Sequence, residues 1–217
     1  MSGSTVEVAT HPVALDALAC LRDAGTGQAA FAAALDRLGR VLAVRALARL
    51  PVAARTVRTP LADAAAQSVD PGTVVLLPIL RAGLGFLPAF QALVPGSAVA
   101  MLGMVRDRDA NAASYLDRVP PIGPGQHVVV LDPMLATGGS ASFALRRLGD
   151  RGATGAQVTL VVAIAAPEGI EAVGQALPGV RVVAGAVDAG LDDHRYIVPG
   201  LGDAGDRLFG PPPEGVA

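Results

Sequence analysis

One stretch constrains this chain more than any other: Val128-Val129-Val130-Leu131-Asp132-Pro133-Met134-Leu135-Ala136-Thr137-Gly138-Gly139-Ser140. A run of apolar residues stops at an acid, and a Thr-Gly-Gly-Ser loop follows a few positions later. The pattern predicts a buried strand over residues 127–132, a tight loop, and a helix over residues 140–151. Glycines let backbone close around an anion and leave its N–H groups uncovered. The positive end of the helix adds to that field. The segment therefore reads as a phosphate cradle. Gly139 is expected to need its missing side chain, for φ and for access to the N–H groups. Asp132 sits at the carboxyl end of its strand, where open parallel sheets bind ligands. The chain contains no lysine, so this is not the Gly-Lys-Ser/Thr loop of a triphosphatase.

Strand and helix signals alternate around this segment. Strands are expected over residues 73–77, ending at Pro78, and over 98–105, 127–132, 158–165 and 181–187. Helices are expected over 84–93, 140–151 and 167–176. The strands are continuously apolar rather than alternating, which implies a sheet buried on both faces and hence parallel α/β. Residues 106–125 are polar and proline-rich, around Tyr115, and suggest a flap or long hairpin. Upstream, helices are expected over residues 12–23 and 28–50, the second stopped by Pro51. Between 51 and 72 the chain reads as irregular, with a short helix near 61–67. The expectation is one domain: a helical portion over 1–60, an α/β core over 73–210, and a loose tail after it.

Composition narrows the function. At 217 residues and 52% hydrophobic, the chain can bury a substantial core. A net charge of −2 argues against bulk binding to nucleic acid or acidic membranes. Cys20 is the only cysteine, so no internal disulfide framework exists and a cytoplasmic location is expected. Within its apolar helix Cys20 reads as a small buried hydrophobe. No signal-peptide pattern opens the chain, and its apolar runs are too short to span a membrane.

Two further segments carry chemistry. Pro78-Ile79-Leu80-Arg81-Ala82-Gly83-Leu84-Gly85 follows a strand, which places Arg81 near the same sheet edge as Asp132. A guanidinium there can bind a dianion in two-pronged fashion. Tyr196-Ile197-Val198-Pro199-Gly200-Leu201-Gly202-Asp203-Ala204-Gly205-Asp206-Arg207 contains a Gly-x-Gly-x-x-Gly match. No full βαβ unit follows, nor an acid about 20 residues on, so the dinucleotide reading fails. The glycines instead specify a rigid loop whose backbone can read the edge of a small planar ligand. Asp203 can hold a metal or a proton, or simply bond its own turn. Arg106, Asp107, Arg108 and Asp109 read as a solvated face. His11, His127 and His194 lack ligand spacing. Glu168 and Glu171 read as helix N-terminal charges.

Together these segments, with Ala-Ala-Pro-Glu-Gly at 165–169, resemble the uracil phosphoribosyltransferases within the type I phosphoribosyltransferases. The similarity is weak before residue 60 and strong after 73. It implies a type I parallel sheet flanked by helices, with N-terminal helices, a flap after the second core strand and a C-terminal base-binding loop. It implies transfer of phosphoribosyl from 5-phosphoribosyl 1-diphosphate (PRPP) to N1 of uracil, with Mg²⁺ accompanying PRPP. By residue, Arg81 and Arg106 would take the diphosphate. Asp132 would take the ribose hydroxyls, and the loop from Pro133, Met134 and Leu135 through Ala136, Thr137, Gly138, Gly139 and Ser140 the sugar phosphate. The backbone of Ile197, Gly202 and Ala204 would read uracil, with Asp203 beside the base and the diphosphate. Asp132, Asp203 and Arg106 would form the catalytic set. A homo-oligomer is implied, without nucleic-acid or membrane partners. The chain departs from the family pattern at Val44-Arg45, after Arg106, and at Arg195, a place usually small or apolar. Two other readings compete: a divergent paralogue acting on a modified pyrimidine, and a pyrimidine-responsive RNA-binding regulator of the same fold. The latter needs a basic face that the charge balance disfavours.

Overall fold

A computed structural model describes residues 4–106 and 112–211. The elements in chain order are β1 (Thr5–Val8), α1 (Pro12–Arg22), α2 (Gln28–Ala46), β2 (Ala53–Arg58), β3 (Asp63–Ser68), β4 (Val74–Leu80), α3 (Leu87–Leu93), β5 (Ala98–Val99), β6 (Leu102–Arg106) and β7 (Ala112–Asp117). They continue with β8 (His127–Leu131), β9 (Met134–Leu135), α4 (Gly139–Asp150), β10 (Val158–Ala165), α5 (Pro167–Ala176), β11 (Arg181–Val187), β12 (Gly190–Leu191), β13 (Ile197–Val198) and α6 (Ala204–Phe209).

The main sheet runs β1-β11-β10-β8-β4-β6-β7, with β5 beside β4 and β9 beside β10. Every pairing in it is parallel except β6–β7. Successive side chains of its central strands enter different cores. Val74, Leu76, Val129, Leu131 and Val161 face α1, α2 and α3. Val75, Leu77, Val128, Val130 and Val162 face α4 and α5. Both faces are covered, which is why the strands read as unbroken apolar runs. On α2, Phe31, Leu35, Leu38 and Leu42 are wholly buried at helical spacing and carry one of these contacts.

Five expectations need correction. Residues 53–68 form a β-hairpin rather than an irregular stretch with a helix at 61–67. The Ala-rich strand has no apolar face for a helix to bury. Its polar groups are met instead by cross-strand pairing from Ala53↔Ser68 to Arg58↔Asp63. Thr59 closes the turn, its hydroxyl accepting from the N–H groups of Leu61 and Ala62. The portion before residue 60 is therefore only partly helical, and β1 adds an edge strand on β11. Second, α2 stops at Ala46, short of Pro51. The buried Arg181 guanidinium donates to the C=O groups of Arg45 and Ala46 at 2.7 and 3.1 Å and finishes the helix there. Third, β4 passes through Pro78 to Leu80. On one side pairing with β8 ends at Pro78; on the other β5 pairs through Leu76 and β6 from Ile79, so the missing N–H falls at the end of one ladder and in the gap between two others. The helix expected at 84–93 is divided into a 3₁₀ turn (Ala82–Gly85) and α3. Cys20 is half-buried beside the Thr26 hydroxyl rather than sealed in the core.

The expected flap is the β6–β7 hairpin. The Arg106 side chain and residues 107–111 lie outside the described residues.

Candidate active site

Because the core strands are parallel, their carboxyl ends share one edge, and every chemical segment lands there. Arg81 follows β4, Asp132 follows β8, and Asp188 follows β11. Arg81 and Asp132 border a cleft of about 420 Å³. One wall is the loop from Met134 to Ala141; the other is formed by residues 194–197 and 202–205. Of the residues assigned to the sugar phosphate, Pro133 does not line the cleft. Its C=O accepts from the N–H groups of Ala163 and Ile164 and fastens the loop's root to β10.

The cradle wall is built by backbone. Gly138 caps α4 with φ +77° and supplies no side-chain hydrogen bond. Apart from a long bond from the Gly139 N–H to the Thr137 hydroxyl at 3.4 Å, the first-turn N–H groups of α4 are not taken by a side chain, and residues 139–141 line the cleft at the helix's positive end. Here the structure corrects the reading of Gly139. The conformationally obligate glycine is Gly138, where a Cβ would also meet the Ala172 methyl at 2.9 Å and the Gly169 carbonyl at 3.0 Å. A Cβ on Gly139 would meet only the Thr137 hydroxyl, at 3.6 Å, so its smallness serves access rather than backbone shape.

Asp132 is buried at the floor of the cleft. Burial pushes its carboxyl up to about 7; a hydrogen bond from the Met134 N–H opposes this, and repulsion from Asp203 adds to it. A buried carboxylate that has no positive partner among the described residues is poised for hydroxyl groups or developing positive charge. Asp203 caps α6, its Oδ1 accepting from the Asp206 N–H at 2.9 Å. It is thus both a turn residue and a cleft residue. Arg81 is half-exposed and paired with Asp206 at 3.1 Å. The Leu80–Arg81 and Val198–Pro199 peptides are cis.

The second wall depends on residues far away in sequence. Arg22, at the end of α1, bonds both carboxylate oxygens of Asp188 at 2.8 and 2.5 Å and donates to the Gly200 C=O at 2.9 Å. Asp188 also accepts from the Gly200 N–H at 2.9 Å. Burial raises the Asp188 carboxyl, but the bonds from Arg22 and Gly200 outweigh it, and its net shift is downward. Gly200 has φ +65°, and a Cβ there would run into the Ile197 carbonyl. Arg207 donates to the C=O groups of Leu21, Leu201, Asp23 and Thr26 and lies 4.3 Å above the Phe31 ring. Arg22 and Arg207 thus occupy the backbone of Gly200 and Leu201, while Ile197, Gly202 and Ala204 are left along the cleft. Sequence reading missed Arg22 and Asp188. The available signal was Asp188 itself, an acid directly after a buried strand, as Asp132 is.

A cleft that joins an anion cradle to a strand-end acid and a backbone-edged pocket defines a transferase of phosphorylated sugars, and a phosphoribosyltransferase by class. Comparison makes the class specific. A family model described as uracil phosphoribosyltransferase matches residues 8–211. The chain belongs to that family. It is 42% identical to a uracil phosphoribosyltransferase of Thermus thermophilus over 94% of this chain and 98% of the relative. It is 39% identical to one from Streptococcus sanguinis over the same shares. A solved structure of an Aquifex aeolicus protein, 35% identical, superposes with a TM-score of 0.88 over 95% of this chain and 98% of the other.

Proposed function

We propose that this chain transfers phosphoribosyl from PRPP to N1 of uracil, giving UMP and pyrophosphate, as a pyrimidine salvage enzyme. The observation that carries the reading is the placement of the two walls across one cleft. The 5-phosphate occupies the cradle of Ala136, Thr137, Gly138, Gly139 and Ser140. Asp132 takes the ribose hydroxyls, Arg81 and Arg106 the diphosphate, and the backbone of Ile197, Gly202 and Ala204 the uracil edge.

Bond breaking at C1 of the ribose builds positive charge on the sugar. The Asp132 carboxylate, costly to ionise in the empty cleft, is stabilised as that charge grows, which favours the transition state over the ground state. Arg81 exchanges Asp206 for the departing diphosphate. Catalysis here is placement and electrostatics, and no nucleophile is required. Magnesium bound with PRPP supplies positive charge to the leaving group. Asp132 and Asp203 are the carboxylates that would face it. The ion would be held mainly by substrate and water oxygens. A homo-oligomer and a cytoplasmic location belong to the same proposal. No described helix is long and apolar enough to cross a membrane.

The test is incubation with PRPP, Mg²⁺ and each free base while pyrophosphate is followed. Release with uracil is expected; no release with any base contradicts the proposal.

A further inference from the structure

Arg195 defies the turn chemistry of its own hairpin. β12 and β13 are joined by a tight connection: the Arg195 N–H donates to the Asp192 C=O at 2.9 Å, and the Asp192 N–H to the Tyr196 C=O at 2.9 Å. The Asp192 carboxylate accepts from the N–H groups of His194 and Tyr196 at 2.9 and 2.8 Å. Such a connection closes on a left-handed residue, a position that favours Gly or Asn. Here it is Arg195, with φ +67°, the one non-glycine residue of positive φ among the described residues. A long β-carbon-bearing side chain in this conformation is disfavoured relative to glycine. That strain sits at the wall of the cleft, since His194, Arg195 and Tyr196 all line it. Among the described residues the Arg195 guanidinium makes no salt bridge, whereas Arg81, the other described arginine of the cleft, is paired with Asp206.

The location indicates which charge Arg195 serves. The hairpin begins at Gly190, where a Cβ would lie 3.2 Å from the Glu168 carboxylate. The cradle residue Gly138 packs on Gly169 and Ala172. Hairpin and cradle therefore stand side by side on α5, the hairpin by its first turn. The base itself is neutral and its edge is assigned to backbone, so it offers a cation nothing to bind. We infer that Arg195 is a specificity-determining contact whose guanidinium closes over the 5-phosphate seated in the cradle, the group that PRPP and UMP share. The inference rests on the phosphoribosyl-transfer reading above.

Arg195→Gly, Arg195→Gln and Arg195→Lys separate strain from charge. Affinity for UMP is read by calorimetry, and KM values for PRPP and uracil and inhibition by pyrophosphate from steady-state rates. Arg195→Gly is expected to melt about 2 °C higher as the strained position is relieved. UMP affinity and KM for PRPP are expected to worsen together, roughly fivefold, as one solvent-exposed charge contact is lost. KM for uracil and inhibition by pyrophosphate stay unchanged. Arg195→Gln keeps the strain and gains no stability, yet loses the same affinity; Arg195→Lys retains most of it. A wild-type protein that binds PRPP and UMP, with Arg195→Gly and Arg195→Gln binding them equally well, overturns the inference alone. So does a loss confined to pyrophosphate, which would move Arg195 to the leaving group. So does a loss seen only with a carboxylated uracil, which would move it to the base. Wild-type protein that binds neither PRPP nor UMP overturns the functional reading as well.

Discussion

The two walls of the cleft are made differently. The proposed cradle is local: strand β8, Asp132, Gly138 and the start of α4 follow one another in the chain, and the groups proposed to bind are the backbone N–H groups of one helix end. The base loop is assembled over distance. Gly200 is fixed by Asp188 and by Arg22, and Leu201 by Arg207, which also grips the chain between α1 and α2. Damage confined to N–H access in the cradle should therefore remove phosphate binding and leave the fold. Damage to the clamp should cost fold stability and uracil recognition together, while phosphate binding persists.

The largest effect is expected from Asp132→Asn. Turnover should fall by about 10³-fold, because an amide supplies no negative charge against the sugar cation. The variant also tests the electrostatics of the empty cleft. The folded carboxyl titrates at about 7, the unfolded one near 4. Between these values the folded state binds more protons, so the ligand-free protein loses stability as pH rises through that window, and the penalty is complete above it. Melting temperatures measured from about pH 5 to about pH 8 should fall for the wild type and flatten for Asp132→Asn. Parallel profiles would show that Asp132 is not a burial-strained carboxyl.

Next comes the cradle. Gly139→Val should weaken PRPP by roughly 100-fold with little change in melting, since it blocks N–H access without crowding the fold. Gly138→Val should add a folding cost of about 2 kcal/mol, from its positive φ and the contact with Ala172. Equal melting of the two variants would erase the distinction between access and backbone shape.

On the other wall, Asp188→Asn leaves the Arg22 charge without its carboxylate. It should cost about 2–3 kcal/mol of stability and raise KM for uracil about tenfold, with PRPP affinity unchanged. A matching loss of PRPP affinity would mean that the walls are not independent. The smallest effect is expected at Arg81. It must leave a half-exposed partner to meet the diphosphate, so Arg81→Ala should weaken PRPP only about fivefold and ribose 5-phosphate hardly at all. Equal losses for both ligands would place Arg81 at the 5-phosphate instead.

The same local-versus-distant contrast explains what the sequence revealed. β10, α5 and β11 fall on their expected bounds, because an unbroken apolar strand and a proline-started helix each declare themselves within a few residues. The strand, loop and helix from β8 to α4 declared themselves for the same reason. The β2–β3 hairpin did not: its strands are Ala-rich and mostly exposed, so no periodicity marks them, and cross-strand pairing alone decides their state. Gly138 was passed over for Gly139 because the deciding neighbours, Gly169 and Ala172, come from α5. Arg22 and Asp188 are 166 positions apart, and nothing local to either shows that they meet.

The central claim is that a rigid backbone loop reads uracil. That loop offers donors and acceptors of fixed polarity, and cytosine reverses uracil at both N3 and position 4. Each mismatched buried pair costs about 1–3 kcal/mol, so two give roughly 10²- to 10⁴-fold discrimination. The direct measurement is kcat/KM for uracil and for cytosine with saturating PRPP in the wild-type protein. The account predicts a ratio of at least about 100 in favour of uracil; comparable values for the two bases would contradict it.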